Sequence, residues 1–179
     1  MIFEAEYFNI AGPVLIKPRV FADARGYFFE SFSKRDLANA GIECDFVQDN
    51  QSYSTKGTLR GLHFQHPPFA QSKLVRVSSG SVLDIAVDIR SDSATYGQYI
   101  AVELTDQNHH LFFIPQGFAH GYLVLSDQAV FLYKCDNYYN PGAEGGIKYD
   151  DPNIKIQWPD LGTEFMISDK DIKLPYLTK

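Results

Sequence analysis

Short apolar runs, bounded by turn-forming residues, recur along almost the whole chain. Runs of this length that are rich in branched and aromatic residues are typical of strands. The pattern predicts strands or strand cores at residues 14–16, 27–32, 46–47, 59–65, 74–77, 82–89, 99–104, 111–114, 121–125 and 130–135. A short helix is predicted at 34–40, with Gly41 as its stop, and a helical turn near 169–173.

The segment 82–90 shows the clearest two-residue alternation. One face holds Leu83, Ile85, Val87 and Ile89, and the other holds Val82, Asp84, Ala86 and Asp88. Successive strands with short turns and almost no helix predict an antiparallel sandwich or barrel. We expect an all-β jelly roll with a few short helices, in one domain over residues 1–179. A ligand pocket would lie at its open end.

The composition and charge of the chain argue against some classes of function. Aromatic residues make up 15% of the chain, which suits strands, and the net charge of −6 argues against nonspecific binding to nucleic acid. The sequence predicts neither a secretion signal nor a membrane span. The two cysteines, Cys44 and Cys135, lie far apart without a metal-type spacing. Free thiols in a reducing cytoplasm are therefore favoured over a disulfide.

The segment L-R-G-L-H-F-Q at 59–65 carries the strongest chemical signal, because it places Arg60 and His63 in a strand-like run. Lys73 follows at the start of another predicted strand. A base that works near neutral pH beside fixed cations suits removal of a proton next to a carbonyl of an anionic substrate. Alternation puts Gly61 on the face of His63, and we expect this glycine to leave room for a ligand.

A buried carboxylate on the other ring nitrogen of His63 would fix its tautomer and raise its basicity. Asp84 and Asp171 are both candidates, and the pattern alone does not choose between them. The structural alternative is a histidine satisfied by polar neighbours inside a barrel, with no part in chemistry.

Two more residues are candidates for proton transfer or binding. Tyr133 shares a predicted strand face with Phe131 and Cys135, and a phenol can donate a proton while staying neutral beforehand. On these residues alone, a core tyrosine is the commoner explanation. His120 lies between turn signals and a strand. The five histidines form no H-x-H pair, and no glutamate follows at a ligand spacing, so we expect no metal site.

Two arginines, Arg25 and Arg60, each precede a glycine that frees space beside the guanidinium. Such sites suit a phosphate clamp, since arginine pairs with oxyanions in a bidentate way. No glycine-rich nucleotide loop is present. In N-Y-Y-N-P at 137–141, Tyr138 and Tyr139 alternate, so one could cover a flat ring while the other packs inward.

Together these segments resemble the dTDP-4-dehydrorhamnose 3,5-epimerase family. The matching segments are D-A-R-G-Y-F-F-E-S (23–31), F-V-Q-D-N (46–50), L-R-G-L-H-F-Q (59–65), Q-S-K-L-V-R-V (71–77), P-Q-G-F-A-H-G-Y (115–122), F-L-Y-K-C-D-N-Y-Y-N-P (131–141) and S-D-K-D (168–171). The family's members are cupin-like jelly rolls that need no metal or other cofactor and usually form homodimers. The resemblance implies the same for this chain.

The resemblance also implies roles for residues at matching positions. His63 would be the base, with Asp171 rather than Asp84 as its orienting partner. Tyr133 would be the acid on the opposite face of the sugar, and Lys73 the cation beside the C4 oxygen. Substrate contacts are implied at Arg25, Glu30, Gln48, Asp49, Asn50, Arg60, His120, Glu144 and Lys170, and stacking on thymine at Tyr139. N-terminal strands can cross the dimer in this family, so Arg25 and Glu30 could serve the neighbouring subunit's site.

The implied reaction inverts C3 and C5 of dTDP-4-dehydro-6-deoxy-D-glucose, giving dTDP-4-dehydro-L-rhamnose. An epimerase that inverts only C3, for a specialised deoxysugar pathway, is the nearest alternative. A sugar-nucleotide ketoisomerase, a catalytically silent binding module and a metal-dependent cupin oxygenase are the more distant ones.

Overall fold

The computed structural model describes residues 3–178, in which strands dominate and helices are short. The strands are β1 (Phe3–Tyr7), β2 (Val14–Pro18), β3 (Phe21–Asp23), β4 (Gly26–Phe28), β5 (Gln48–Thr55), β6 (Thr58–Gln65), β7 (Lys73–Ser79), β8 (Ser81–Asp88), β9 (Tyr99–Thr105), β10 (Leu111–Ile114), β11 (Phe118–Val124), β12 (Gln128–Cys135), β13 (Glu144–Gly146) and β14 (Met166–Ile167). The helices are α1 (Lys34–Asn39) and α2 (Asp169–Ile172). Within these residues, no helix has the length and apolar character needed to cross a bilayer.

Two sheets form the body of the molecule. Sheet 1 has the order β1-β2-β10-β7-β12-β5, and sheet 2 has the order β13-β6-β11-β8-β9. Neighbouring strands are antiparallel, except that β14 adds to β6 in parallel. The hairpin β3–β4 belongs to neither sheet. The predicted all-β jelly roll is confirmed, since strands that are distant in sequence are neighbours in both sheets.

Three apolar clusters hold these layers together. Phe112, Phe131 and Val82 belong to the largest cluster, which contains buried side chains from strands of both sheets. Residues of α1 and the chain after it cover the outer face of sheet 1, and residues 147–158 cover that of sheet 2. The predicted alternation in β8 is therefore real: Val82 and Ala86 belong to the first cluster, while the odd-numbered residues join the third.

Some predicted elements were misplaced. The strand predicted at 27–32 ends at Phe28, and 46–47 is not a strand, because pairing with β12 begins only at Gln48. The strand β5, with the sequence Q-D-N-Q-S-Y-S-T, escaped prediction because few of its residues are apolar. The helix at 34–39 begins as expected, with Ser33 accepting a hydrogen bond from the Asp36 N–H, and Gly41 beyond its end has a φ of +78°.

Candidate active site

A histidine–carboxylate contact links β6 to the C-terminal segment. His63 Nε2 lies 2.8 Å from Asp171 Oδ1, and the Gly61 N–H donates to Asp171 Oδ2 at 3.2 Å. The pairing of β14 with β6 brings α2, which carries Asp171, to this position. Ser168 begins α2 by accepting a hydrogen bond from the Asp171 N–H. Of the two candidate carboxylates, it is Asp171 and not Asp84 that contacts His63.

The ionisation of Asp171 determines which ring nitrogen of His63 carries the proton. Burial alone would raise the pKa of Asp171, but hydrogen bonds from His63, from the Gly61 N–H and from Ser168 outweigh it and bring the pKa below its usual value. An ionised Asp171 accepts the proton on Nε2 and leaves Nδ1 of His63 with its lone pair. The imidazole is 40% exposed while Asp171 is 6% exposed, so the ring is the member of the pair that a ligand can reach.

A bulge in β6 brings the side chains of Arg60 and His63 to the same face of the strand. Strict alternation puts Arg60 and His63 on opposite faces, yet both line one cavity. The register pairs His120 with His63 and Tyr122 with Arg60, so three steps on β6 oppose two on β11. An extra residue of this kind turns the side chains that follow it.

The glycine of that bulge lets two strands approach closely. Gly61 has a φ of +125°, and a Cβ on it would lie 2.6 Å from the Cα of Gly121. Gly61 was expected to leave room for a ligand. That expectation was wrong, because the freed space is filled by the backbone of the neighbouring strand.

A cavity of about 730 Å³ brings together the four residues predicted to be catalytic: His63, Lys73, Tyr133 and Asp171. Lys73 and Tyr133 come from sheet 1, and His63 faces them from sheet 2. Residues 165–168 and α2 form another part of the wall. Arg60, His120 and Lys170, predicted as substrate contacts, also line this cavity.

Burial sets the charge state of the two groups from sheet 1. It lowers the pKa of Lys73, with Cys135 and Asp84 acting in the opposite direction, and it raises the pKa of Tyr133. The phenol is therefore protonated at neutral pH. Lys73 makes no salt bridge to any residue among 3–178, so its ammonium is open to a ligand.

A second histidine–carboxylate pair lies deeper in the molecule. His120 Nε2 is 3.0 Å from Asp84 Oδ2, and the two side chains are 7% and 0% exposed. Burial raises the pKa of Asp84 and lowers that of His120, so it disfavours the charged form of each. Only an edge of His120 reaches the cavity.

A smaller cavity of about 250 Å³ adjoins the first and shares His63, Lys73 and Tyr133 with it. Its other lining residues include Gln48, Asn50, Tyr139 and Glu144, all predicted as substrate contacts. The Glu144 carboxylate accepts a hydrogen bond from Lys170 at 2.5 Å, which joins the two cavities at their rim.

The loop that carries Tyr139 is fixed by two glutamines. Gln48 Oε1 accepts from the Tyr139 N–H at 3.0 Å, and Gln65 Oε1 accepts from the Asn140 N–H at 2.7 Å. Tyr138 and Tyr139 are 65% and 52% exposed. The expectation that one of them packs inward was wrong.

Three predicted contacts do not line either cavity. Arg25 sits at the tip of the β3–β4 hairpin, 90% exposed, and pairs with Asp23 at 2.7 Å. Glu30 is exposed a few residues later. Asp49 is exposed, unlike its neighbours in β5, and pairs with Lys134 at 2.8 Å.

Sequence reasoning named Gln48 and Asn50 on the inner face of β5 but missed Ser52 and Ser54. Ser52 lines the main cavity and lies 2.9 Å from the Tyr122 hydroxyl, and Ser54 binds Arg60. Both faces of β5 are mostly polar, so no two-residue alternation in the sequence distinguishes the face that lines the cavity.

The sequence and the fold of this chain are both similar to those of known sugar-nucleotide epimerases. Residues 7–179 match the family model described as dTDP-4-dehydrorhamnose 3,5-epimerase. The chain is 48% identical over 164 residues to the dTDP-4-dehydrorhamnose 3,5-epimerase of Methanothermobacter thermautotrophicus, covering 91% of this chain and 88% of the relative. It matches the crystal structure of the Legionella pneumophila 3,5-epimerase, in complex with dTDP-4-keto-L-rhamnose, with a TM-score of 0.93 and 46% identity over 97% of this chain and 92% of that one.

These matches define a sugar-nucleotide epimerase with a cupin-like jelly roll. The chain belongs to the dTDP-4-dehydrorhamnose 3,5-epimerase family. It is also similar to a 3′-monoepimerase from Streptomyces bikiniensis, in complex with dTDP-quinovose, with a TM-score of 0.88 and 30% identity over 94% of this chain and 85% of that one.

Proposed function

We propose that this protein inverts C3 and C5 of dTDP-4-dehydro-6-deoxy-D-glucose and releases dTDP-4-dehydro-L-rhamnose. The observation that carries the proposal is the single cavity in which a histidine oriented by Asp171 faces a buried phenol and an unpaired ammonium. The higher identity to 3,5-epimerases than to the monoepimerase supports two inversions over one.

His63 acts as the base in this mechanism. The C4 ketone acidifies the protons on C3 and C5, and His63 Nδ1 accepts one of them while Asp171 holds Nε2–H. The proton leaves carbon as its electron pair moves into the C3–C4 or C4–C5 bond, so the charge builds up on the C4 oxygen. A positioned base typically contributes about 10²–10⁴-fold to the rate.

Lys73 and Tyr133 complete each inversion. The Lys73 ammonium stabilises the enolate oxygen and is free to do so, because it makes no salt bridge within residues 3–178. Tyr133, kept protonated by burial, delivers a proton to the carbon from the face opposite His63. Because no electrons leave the substrate, the overall change is a redistribution of protons and needs no external oxidant or reductant.

The nucleotide and diphosphate bind at the rim of the same site. Arg60 and Lys170 supply positive charge along the main cavity, and Arg60 makes no salt bridge within residues 3–178. Lys170 pairs with Glu144, so Arg60 is the cation that is left to indicate an anionic ligand in a chain of net charge −6. Tyr139, half exposed beside Glu144, offers a flat surface for the thymine base. Gln48, Asn50 and His120 supply further polar contacts.

The reaction is tested by incubating the enzyme with the 4-keto sugar nucleotide in deuterated water and following the product by proton NMR. We expect deuterium at both C3 and C5 and coupling constants of the L-rhamno configuration. Deuterium at C3 alone would identify the C3-only epimerase, and a ketone shifted to C3 would identify a ketoisomerase.

We also propose that the enzyme is a cytoplasmic homodimer whose β3–β4 hairpin reaches the neighbouring subunit's site. The hairpin pairs with neither sheet, and its Phe21, Tyr27 and Phe28 are 47%, 59% and 65% exposed. Such exposed aromatic side chains suit a protein interface. Arg25 and Glu30 would then contact the neighbour's ligand. The free thiols Cys44 and Cys135 fit a reducing compartment.

Exchange of the hairpin predicts complementation between two damaged chains. Arg25→Ala and His63→Ala are each expected to be poorly active alone. After unfolding and refolding together, mixed dimers would hold one intact site, and random pairing would restore about a quarter of wild-type activity. No gain on mixing, with dimers present in sedimentation, would contradict exchange while leaving the epimerase reaction untouched.

A further inference from the structure

The guanidinium of Arg60 is exposed in the cavity but tethered at one atom. Its Nε donates a hydrogen bond to Ser54 Oγ at 3.1 Å, and no other hydrogen bond or salt bridge of the Arg60 side chain is found within residues 3–178. Arginine has five N–H donors in a planar fork, so four of them are left for a ligand. An arginine held only through Nε keeps both terminal nitrogens free.

The hydrogen bond between Arg60 and Ser54 links the two sheets. Ser54 lies in β5 of sheet 1, and Arg60 lies in β6 of sheet 2, beyond a two-residue turn. Ser54 is 6% exposed and faces Ala129, which is 1% exposed, in the register with β12. A hydroxyl as buried as this needs a hydrogen-bond partner, and Arg60 is that partner.

We propose that Ser54 is a positioning residue, which fixes the plane of the Arg60 guanidinium so that both terminal nitrogens face the substrate's diphosphate. This inference rests on the proposed binding of a sugar nucleotide in the cavity. A bidentate contact to phosphate oxygens requires the fork to have one orientation. A free arginine side chain must give up its rotamer freedom on binding, whereas one already held by Ser54 has lost much of it beforehand.

The expected effect is on binding rather than on the chemical step. Ser54→Ala should weaken binding of dTDP, measured by titration calorimetry, by about three- to tenfold, the range expected for one immobilised side chain. KM for the sugar nucleotide should rise by a similar factor, with kcat nearly unchanged. Ser54→Thr keeps the hydroxyl and should restore both values.

A double-mutant cycle separates this role from a merely structural one. In an Arg60→Ala background, Ser54→Ala should cause no further loss of dTDP affinity, because it acts through Arg60. Ser52→Ala is the matched control: it removes the neighbouring contact to Tyr122, and its effect should add to that of Arg60→Ala.

Two outcomes would overturn the role of Ser54 alone. One is a Ser54→Ala protein that binds dTDP like the wild type while Arg60→Ala binds weakly. The other is a loss from Ser54→Ala that persists in full without Arg60. If Arg60→Ala itself binds dTDP normally, the proposed diphosphate contact fails, and the inference fails with it.

Discussion

Within residues 3–178, two histidine–carboxylate pairs have similar contacts and opposite surroundings. His63 and Asp171 meet at 2.8 Å, and His120 and Asp84 at 3.0 Å. The ring of His63 is 40% exposed on a cavity, while that of His120 is 7% exposed. The carboxylate is buried in both pairs.

Exposure of the ring, rather than the contact with a carboxylate, therefore distinguishes a candidate base from a buried histidine. A base must reach its proton, and of the two rings that of His63 is much the more exposed on the cavity. The deeper pair joins β11 to β8 within sheet 2 and fills the floor below the site.

The largest effect is expected from Asp171→Asn. An asparagine amide can donate to Nε2 and so move the ring proton onto Nδ1, the nitrogen that must accept the substrate's proton. Loss of the correct tautomer should lower kcat by about a hundredfold or more. Steady-state kinetics at neutral pH measure this loss, and Asp169→Asn, an exposed neighbour in α2, is the control that should retain activity. Near-normal kcat in Asp171→Asn would contradict the orienting role.

For stability, the larger loss is expected from the buried pair: replacing His120 should destabilise the protein more than replacing His63. His120→Ala leaves a cavity and a buried, unpartnered Asp84, and should cost about 3 kcal/mol in the free energy of unfolding. His63→Ala removes a partly exposed ring and should cost about 1 kcal/mol or less. Urea unfolding at one fixed protein concentration compares the two variants. Equal losses in the free energy of unfolding would mean that the two histidines contribute equally to stability.

The smallest effect is a displacement of a pH profile. Because burial lowers the pKa of Lys73, the ammonium loses its proton below the ordinary value of 10.5, and kcat/KM should fall as pH rises through that lowered pKa. Lys73→Arg keeps its charge to higher pH, so its alkaline limb should move upward even if the maximum rate is lower. An alkaline limb at the same pH in both proteins would assign it to another group.

Much of the fold could be predicted because its signals are local. The apolar alternation in β8 predicted both of its faces, and Ser33 and Gly41 bracket α1 as their residue types suggest. The strand β5 could not be found in that way, because its inner face is polar and lines the site. Local rules fail where a strand serves a ligand rather than the core.

The site was predicted less evenly. The motif around His63 and the resemblance named residues that the main cavity brings together, but alternation alone separated Arg60 from His63. Only the register with β11 reveals the bulge that reunites them. The choice between Asp84 and Asp171 depended on how the C-terminal segment folds back onto β6, a long-range contact that no local pattern encodes.

The central claim is that His63 and Tyr133 act on opposite faces of one keto-sugar. The most direct measurement compares solvent deuterium exchange into the recovered substrate by two variants. Tyr133→Phe should still exchange protons at a carbon next to the ketone while forming little inverted product, and His63→Ala should do neither. Normal exchange and inversion by His63→Ala, or inversion at the wild-type rate by Tyr133→Phe, would contradict the account.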